Sequence, residues 1–164
     1  MAEVYLLLGS NEGNREQHLK QARQLIDPAC GEIKSISGIY ETEAWGLKDQ
    51  SAFLNQALLL QTTLTPANLL TKLKAIERET GRAKTVHWGP RIIDIDILFY
   101  AADIVDLPQL KVPHPYLHQR RFTLQPLAEI APQLIHPVLH QSVSQLLEMC
   151  PDLSDVNRFQ EQKD

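Results

Sequence analysis

Two cysteines, Cys30 and Cys150, are all that the 164 residues carry, and they stand far apart and outside any CxxC spacing. That excludes a thiolate metal knuckle and a disulfide framework, and it suits a reducing compartment. Long apolar runs are missing as well, since no stretch nears the roughly 20 residues that a membrane-spanning helix needs. The start, Met1-Ala2-Glu3-Val4-Tyr5-Leu6-Leu7-Leu8, has an acid where a secretory signal carries bases. A cytoplasmic location without a membrane partner is expected. Positive charge is scarce too: the net charge of -4 argues against a nucleic-acid partner, which calls for a broad basic face. The local exception, Arg82 to Arg91, suits a small polyanion. A Walker A loop is also lacking, because Gly9-Ser10-Asn11-Glu12-Gly13-Asn14 has no Gly-Lys-Ser/Thr ending.

What is present reads as one domain over residues 1–164, with a frayed polar tail from Asp152 onward. Val4 to Leu8 is a buried strand ending in turn residues, and Asn14 caps a helix carrying Leu19, Ala22, Leu25 and Ile26. Pro28 and Gly31 close it. Ile33–Tyr40 and Phe53–Thr62 read as strands separated by a loop from Glu41 to Ser51. Thr65 and Pro66 open a second helix with the stripe Leu69, Leu70, Leu73 and Ile76, and Gly81 ends it. The strand Ile92–Tyr100 follows. An irregular stretch with Pro108 and Pro113 leads to a helix around Phe122, Leu124, Leu127 and Ile130 and an amphipathic piece near Val143, Leu146 and Leu147. The order strand, helix, strand, strand, helix, strand predicts an α+β, ferredoxin-like sandwich: an antiparallel sheet with helices on one face.

Within Ile92–Tyr100, alternation puts Asp94 and Asp96 on one face and Ile93, Ile95 and Ile97 on the other. The isoleucines are a core face. The two carboxylates, about 7 Å apart at Cα, repel unless a cation lies between them. Magnesium, which prefers one or two carboxylates plus phosphate oxygens and water, is one answer. A solvated face paired with Arg or Lys is the other. Upstream, Arg82, Lys84 and Arg91 sit on a loop punctuated by Trp88-Gly89-Pro90, and cations beside a metal are the equipment of phosphoryl transfer. Trp88 is placed either to stack on a flat ligand or to staple the loop. His114 and His118 have the i,i+4 spacing of zinc ligands but no third companion nearby, so phosphate contact by His114 and Arg120 is the preferred reading.

With these residues in view, the chain resembles the hydroxymethyl-dihydropterin pyrophosphokinase family of folate biosynthesis. The motifs that carry the resemblance are Leu8-Gly9-Ser10-Asn11, Phe53-Leu54-Asn55, Ile76-Glu77-Arg78, His87-Trp88-Gly89-Pro90-Arg91-Ile92-Ile93-Asp94-Ile95-Asp96, and Val112-Pro113-His114 through Pro126-Leu127. The resemblance implies transfer of the β,γ-pyrophosphate of ATP to a reduced pterin's hydroxymethyl oxygen, with release of AMP. It implies two magnesium ions held by Asp94 and Asp96, and catalytic cations Arg82, Lys84 and Arg91. ATP contacts would come from Lys74, Glu77, Trp88, Arg91, His114 and Arg120. The pterin would meet Thr42, Glu43, Trp45, Phe53, Asn55 and Phe122, an aromatic sandwich with an amide to read the ring edge. A monomer is expected, with at most weak association with other folate-pathway enzymes.

Three departures from the family pattern stand out. Lys84 replaces a frequent Arg, a point charge in place of a fork. The stretch from Gly81 to Trp88 is one residue short against some relatives. Glu43-Ala44 stands where proline is frequent. The alternatives are an RNA-binding ferredoxin-like module, which would place aromatics and basic residues on the central strands in place of aspartates, and a metal-dependent phosphohydrolase.

Overall fold

Every residue from Val4 to Ser10 is buried in the first strand, β1 (Ala2–Ser10). A strand covered on both faces needs no polar alternation, which is why this segment reads as one apolar run. The computed structural model describes residues 1–43, 52–80 and 92–160. Helix α1 (Arg15–Ala29) begins where Asn14 accepts a hydrogen bond from the Gln17 amide at 3.1 Å. Its backbone leaves helical geometry at Asp27, the residue before Pro28, as the proline ring requires. Strands β2 (Glu32–Ile36), β3 (Tyr40–Thr42) and β4 (Phe53–Thr62) follow, then α2 (Pro66–Glu79), capped by Thr65 through the Asn68 amide. After β5 (Asp94–Tyr100) come the hairpin β6 (Val105–Leu107) and β7 (Leu110–Val112), a 3-10 turn (Leu117–Gln119), α3 (Arg121–Ile130), α4 (Val143–Glu148) and β8 (Asn157–Arg158).

The main sheet runs β5-β1-β4-β3-β8 with β2 also on β4, and every adjacent pair is antiparallel. If β2 and β3 are taken as halves of one strand, the order is fourth, first, third, second. This is the ferredoxin-like α+β arrangement expected. The single strand Ile33–Tyr40 is split in the structure at Ser37: its amide still donates to Ala57 O at 2.9 Å, but its hydroxyl accepts from the Ala57 amide at 2.9 Å, and Gly38 donates to Glu129 at 2.9 Å.

The helices do not all lie on one face. Val4, Leu6, Leu8, Ile93, Ile95 and Ile97 pack under α1 and α2 through Leu19, Ile26, Leu69 and Leu73. Tyr5, Leu7, Ala57, Leu98 and Phe99 form a second core with Leu124 and Leu127 of α3 and Val143 and Leu146 of α4. β1 pairs Leu6 with Ile97 but Tyr5 with Phe99, so Leu98 is an extra, bulged residue and both Leu98 and Phe99 join that second core. The β6–β7 hairpin replaces the expected irregular stretch; three-residue strands are too short to show a period in the sequence.

Two imidazoles, buried His136 and partly exposed His114, make stability depend on pH. Burial, then the Arg120 charge, lowers the His114 pKa from 6.5 to about 4. Burial, then the charges of His118 and His140, lowers that of His136, whose Nδ1 accepts from the Val138 and Leu139 amides at 3.1 Å each. In the unfolded chain both rings bind protons at higher pH than they do in the fold. Stability is therefore full above pH 6.5 and declines as pH falls toward 4. Urea titrations at neutral pH and at mildly acid pH should show this decline, and His136→Asn, which retains an acceptor, should flatten part of it. An unchanged slope in that variant would remove His136 from the account.

Candidate functional site

Asp94 and Asp96 are both partly exposed, while Ile93, Ile95 and Ile97 between and beside them are buried, as strand alternation requires. The register fixes their neighbours. Asp94 lies opposite Gly9 on β1, Gly9 opposite Asn55 on β4, and Asn55 opposite Tyr40 on β3; in the next row Asp96 lies opposite Leu7, and Leu7 opposite Ala57. Residues directly opposite one another share a face, so Asp94, Asp96 and Asn55 all project on the side of the second core. Asp94 and Asn55 are two strand spacings apart, roughly 10 Å.

The lack of a side chain at Gly9 makes room for the Asn55 amide. A Cβ there would lie 2.8 Å from Asn55 Oδ1 and 3.7 Å from Phe53 Cδ1. The sequence shows Gly9 only as a turn residue, whereas in the sheet it stands between Asp94 and Asn55 and is overlain by the Asn55 amide. Asn55 is buried, and its Nδ2 donates to the hydroxyl of buried Thr42 at a long 3.5 Å. Thr42 pairs with Phe53 across β3 and β4. Phe122, in the first turn of α3, packs at the margin of the second core on this same face. Glu43 follows β3 and is exposed. Asn55, Phe53, Thr42 and Phe122 are therefore on one side of the sheet. Trp45 lies outside the described residues, as do Arg82, Lys84, Trp88 and Arg91.

Two groups pin the outer edge of β5. Glu77 is buried, and its Oε2 accepts from the Ile95 amide at 2.7 Å, while Oε1 is 3.5 Å from Lys74 Nζ. The carboxylate thus satisfies an edge-strand donor on the residue between the two aspartates. The sequence offered Glu77 as an ATP contact; its bond into β5 could not be read there, since it joins residues 18 apart. Glu77→Ala should lower the unfolding free energy by about 1–3 kcal/mol through an orphaned amide. Glu77→Gln, which keeps an acceptor, should restore much of it in chemical denaturation. Equal stability of the alanine variant and the parent would contradict this role.

Further along the same edge, the His114 amide donates to Leu98 O at 3.0 Å. His114 Nδ1 accepts from the Tyr116 amide at 3.2 Å, which leaves Nε2 as the proton-bearing nitrogen of a neutral ring. Arg120 lies between two rings, 5.2 Å from Tyr116 and 5.6 Å from Phe122. Stacking of this kind holds the guanidinium flat and leaves its N–H edge for an anion. Tyr116 escaped the sequence reading; its position between His114 and Arg120 was the available signal. His118 faces His136 at 6.4 Å between ring centroids. Among the described residues no group of three or more His, Cys, Asp or Glu side chains that could hold a metal ion is gathered.

A family model described as 7,8-dihydro-6-hydroxymethylpterin-pyrophosphokinase matches residues 5–132. A 2-amino-4-hydroxy-6-hydroxymethyldihydropteridine pyrophosphokinase of Aquifex aeolicus is 45% identical over 145 residues, covering 88% of this chain and 90% of the relative. The protein of the same name from Bacillus subtilis is 45% identical over 132 residues, covering 80% and 79%. The folic acid synthesis protein of Schizosaccharomyces pombe is 38% identical over 149 residues, 90% of this chain but 20% of that longer protein. Among solved structures, a Plasmodium falciparum HPPK-DHPS superposes with a TM-score of 0.75 at 19% identity, covering 90% of this chain and 43% of the other. This chain spans less than half of that solved chain, and the likeness bears on the fold alone.

Proposed function

The chain belongs to the 7,8-dihydro-6-hydroxymethylpterin-pyrophosphokinase family, and from that membership and the geometry of β5 we propose how it transfers pyrophosphate from ATP to 6-hydroxymethyl-7,8-dihydropterin. The observation that carries the proposal is the row Asp94, Gly9, Asn55, which sets a carboxylate and a buried amide on either side of a glycine on one sheet face. Asn55 offers both a donor and an acceptor to the ring edge, with Phe53 and Phe122 as apolar walls and Thr42 and the Glu43 to Trp45 segment at the rim. Asp94 and Asp96 hold magnesium, two ions in the full assembly. Bound magnesium supplies charge neutralisation on the triphosphate and fixes its orientation.

Around that phosphate chain, neutral His114 donates from Nε2 and stacked Arg120 donates from its guanidinium edge. Lys74 and Glu77 border the nucleotide beside β5, and Trp88 and Arg91 complete its contacts. Arg82, Lys84 and Arg91 compensate the charge that builds as the bond to the leaving AMP oxygen breaks. The hydroxymethyl oxygen forms its bond to the β-phosphorus in that step, and its proton passes to solvent. Transfer of this kind is chiefly positioning, so the protein's task is to hold hydroxyl and β-phosphorus in line. A monomeric, cytoplasmic enzyme fits this reading; among the described residues no helix is long and apolar enough to cross a membrane.

The test is product analysis. Incubation with ATP, magnesium and the reduced pterin should yield AMP and the pterin diphosphate in equal amounts. ADP or free phosphate in place of AMP would exclude pyrophosphoryl transfer and favour the phosphohydrolase.

A further inference from the structure

Of the polar tail expected to fray from Asp152 onward, the described residues as far as 160 are tied to the rest of the fold. Asp152 accepts from the Arg121 amide at 3.0 Å, and the chain then runs back to the sheet as β8. There Arg158 pairs with Tyr40 and Asn157 with Glu41 of β3, and the Phe159 amide donates to Ile39 O at 2.8 Å. β3 itself is only three residues long. So short an edge strand is marginal by itself, yet it carries Thr42 opposite Phe53 and Tyr40 opposite Asn55.

β8 grips β3 from both faces of the sheet. On the face of the second core, the Arg158 guanidinium lies 5.5 Å from the Tyr40 ring centroid and donates to Glu129 Oε1 at 3.2 Å. Glu129, on α3, also accepts from the Tyr40 hydroxyl at 2.6 Å and from the Gly38 amide at 2.9 Å. On the opposite face, Phe159 packs against the first core, and the Arg15 guanidinium lies 5.7 Å from its ring. Arg15 in turn donates to Glu41 Oε2 at 2.8 Å and to Ala52 O at 2.6 Å, tying the end of β3 to the start of β4. Gly38 makes the close passage possible: a Cβ there would come within 2.1–2.2 Å of the Arg158 guanidinium.

We propose that the carboxy-terminal strand is a positioning element for the pterin side of the site, in which Arg158 and Phe159 hold β3 so that Thr42 and Tyr40 stay in register with Phe53 and Asn55. The inference rests on the reading that Asn55, Phe53 and Thr42 receive the pterin. The Arg158 side chain is 58% exposed, and exposed ion pairs add little to global stability. Its removal therefore acts on the placement of β3 more than on folding. The nucleotide side, built on β5 and the segment from His114 to Arg120, makes no use of β8.

The experiment compares full-length protein with Arg158→Ala, Phe159→Ala, the double variant and Arg158→Lys. Pterin and magnesium–ATP affinities are measured separately by calorimetry, and thermal midpoints are recorded. The double variant should lose at least tenfold in pterin affinity with ATP affinity within twofold of the parent. Arg158→Lys, which keeps the charge, should recover part of the Arg158→Ala loss. Because the double variant removes a packed ring, Arg158→Ala carries the comparison should it fail to fold. Pterin affinity within twofold of the parent, or equal losses for both ligands, would overturn the positioning role. Asn55→Ala separates the two readings: if it binds pterin as the parent does, the pocket assignment itself fails; if it loses pterin while the β8 variants do not, only the positioning role fails.

Discussion

Replacing Asp96 with alanine is expected to reduce turnover by about a thousandfold or more, equivalent to roughly 4 kcal/mol of transition-state stabilisation. Asp96 is partly exposed opposite Leu7 and belongs to neither core, which this stretch builds from Ile93, Ile95 and Ile97 on one face and Leu98 and Phe99 on the other. Loss of its carboxylate therefore leaves the packing in place. The thermal midpoint should stay within a few degrees of the parent, and AMP formation should fall at every magnesium concentration. Asp94→Ala should behave alike, and the double variant should be little worse than either single one, because residues that act as a unit are not additive. Near-parental AMP formation by Asp96→Ala would end the metal assignment.

Gly9→Ala is expected to be nearly as damaging, but to one substrate only. The added methyl would meet Asn55 Oδ1 at 2.8 Å, and Asn55 is itself buried and has little room to retreat. Either the amide turns away from Gly9 or β1 and β4 shift, and overpacking of this kind costs about 1–3 kcal/mol. Pterin affinity should fall more than tenfold while magnesium–ATP affinity stays within twofold. Asn55→Ala should produce a comparable loss, and the pair together should fall well short of the sum, since both act on the same amide. Full additivity in that cycle would mean that Gly9 and Asn55 act separately, and an unchanged pterin affinity in Gly9→Ala would refute the role of Gly9 in placing the Asn55 amide.

Local features were legible because their causes are local. Asn14 and Thr65 cap helices through amides three residues on, Pro66 opens α2, and the alternation of Asp94 and Asp96 with isoleucines follows from the two-residue repeat of a strand. The order of elements was sufficient to name the α+β class. Less legible was the path of Ile33–Tyr40, where Ser37 and Gly38 are diverted by partners on β4 and α3. The tail after Asp152 misled for a different reason: its polar composition suits solvent, yet Arg158 and Phe159 are held by Glu129, Tyr40 and Arg15, residues far away in the chain.

By itself, the sequence determined the class of fold, the pair of carboxylates on one strand face and, through its motifs, the family and its two substrates. Only the tertiary structure decided that α3 and α4 cover the sheet opposite α1 and α2, and that Gly9 stands between Asp94 and Asn55. It also decided that Glu77 seals the edge of β5 and that Tyr116 and Phe122 flank Arg120. The physical reason is register. A strand's own alternation is written in neighbouring residues, but which residue it faces across the sheet is set by partners tens of positions away, and the site is made of those pairings.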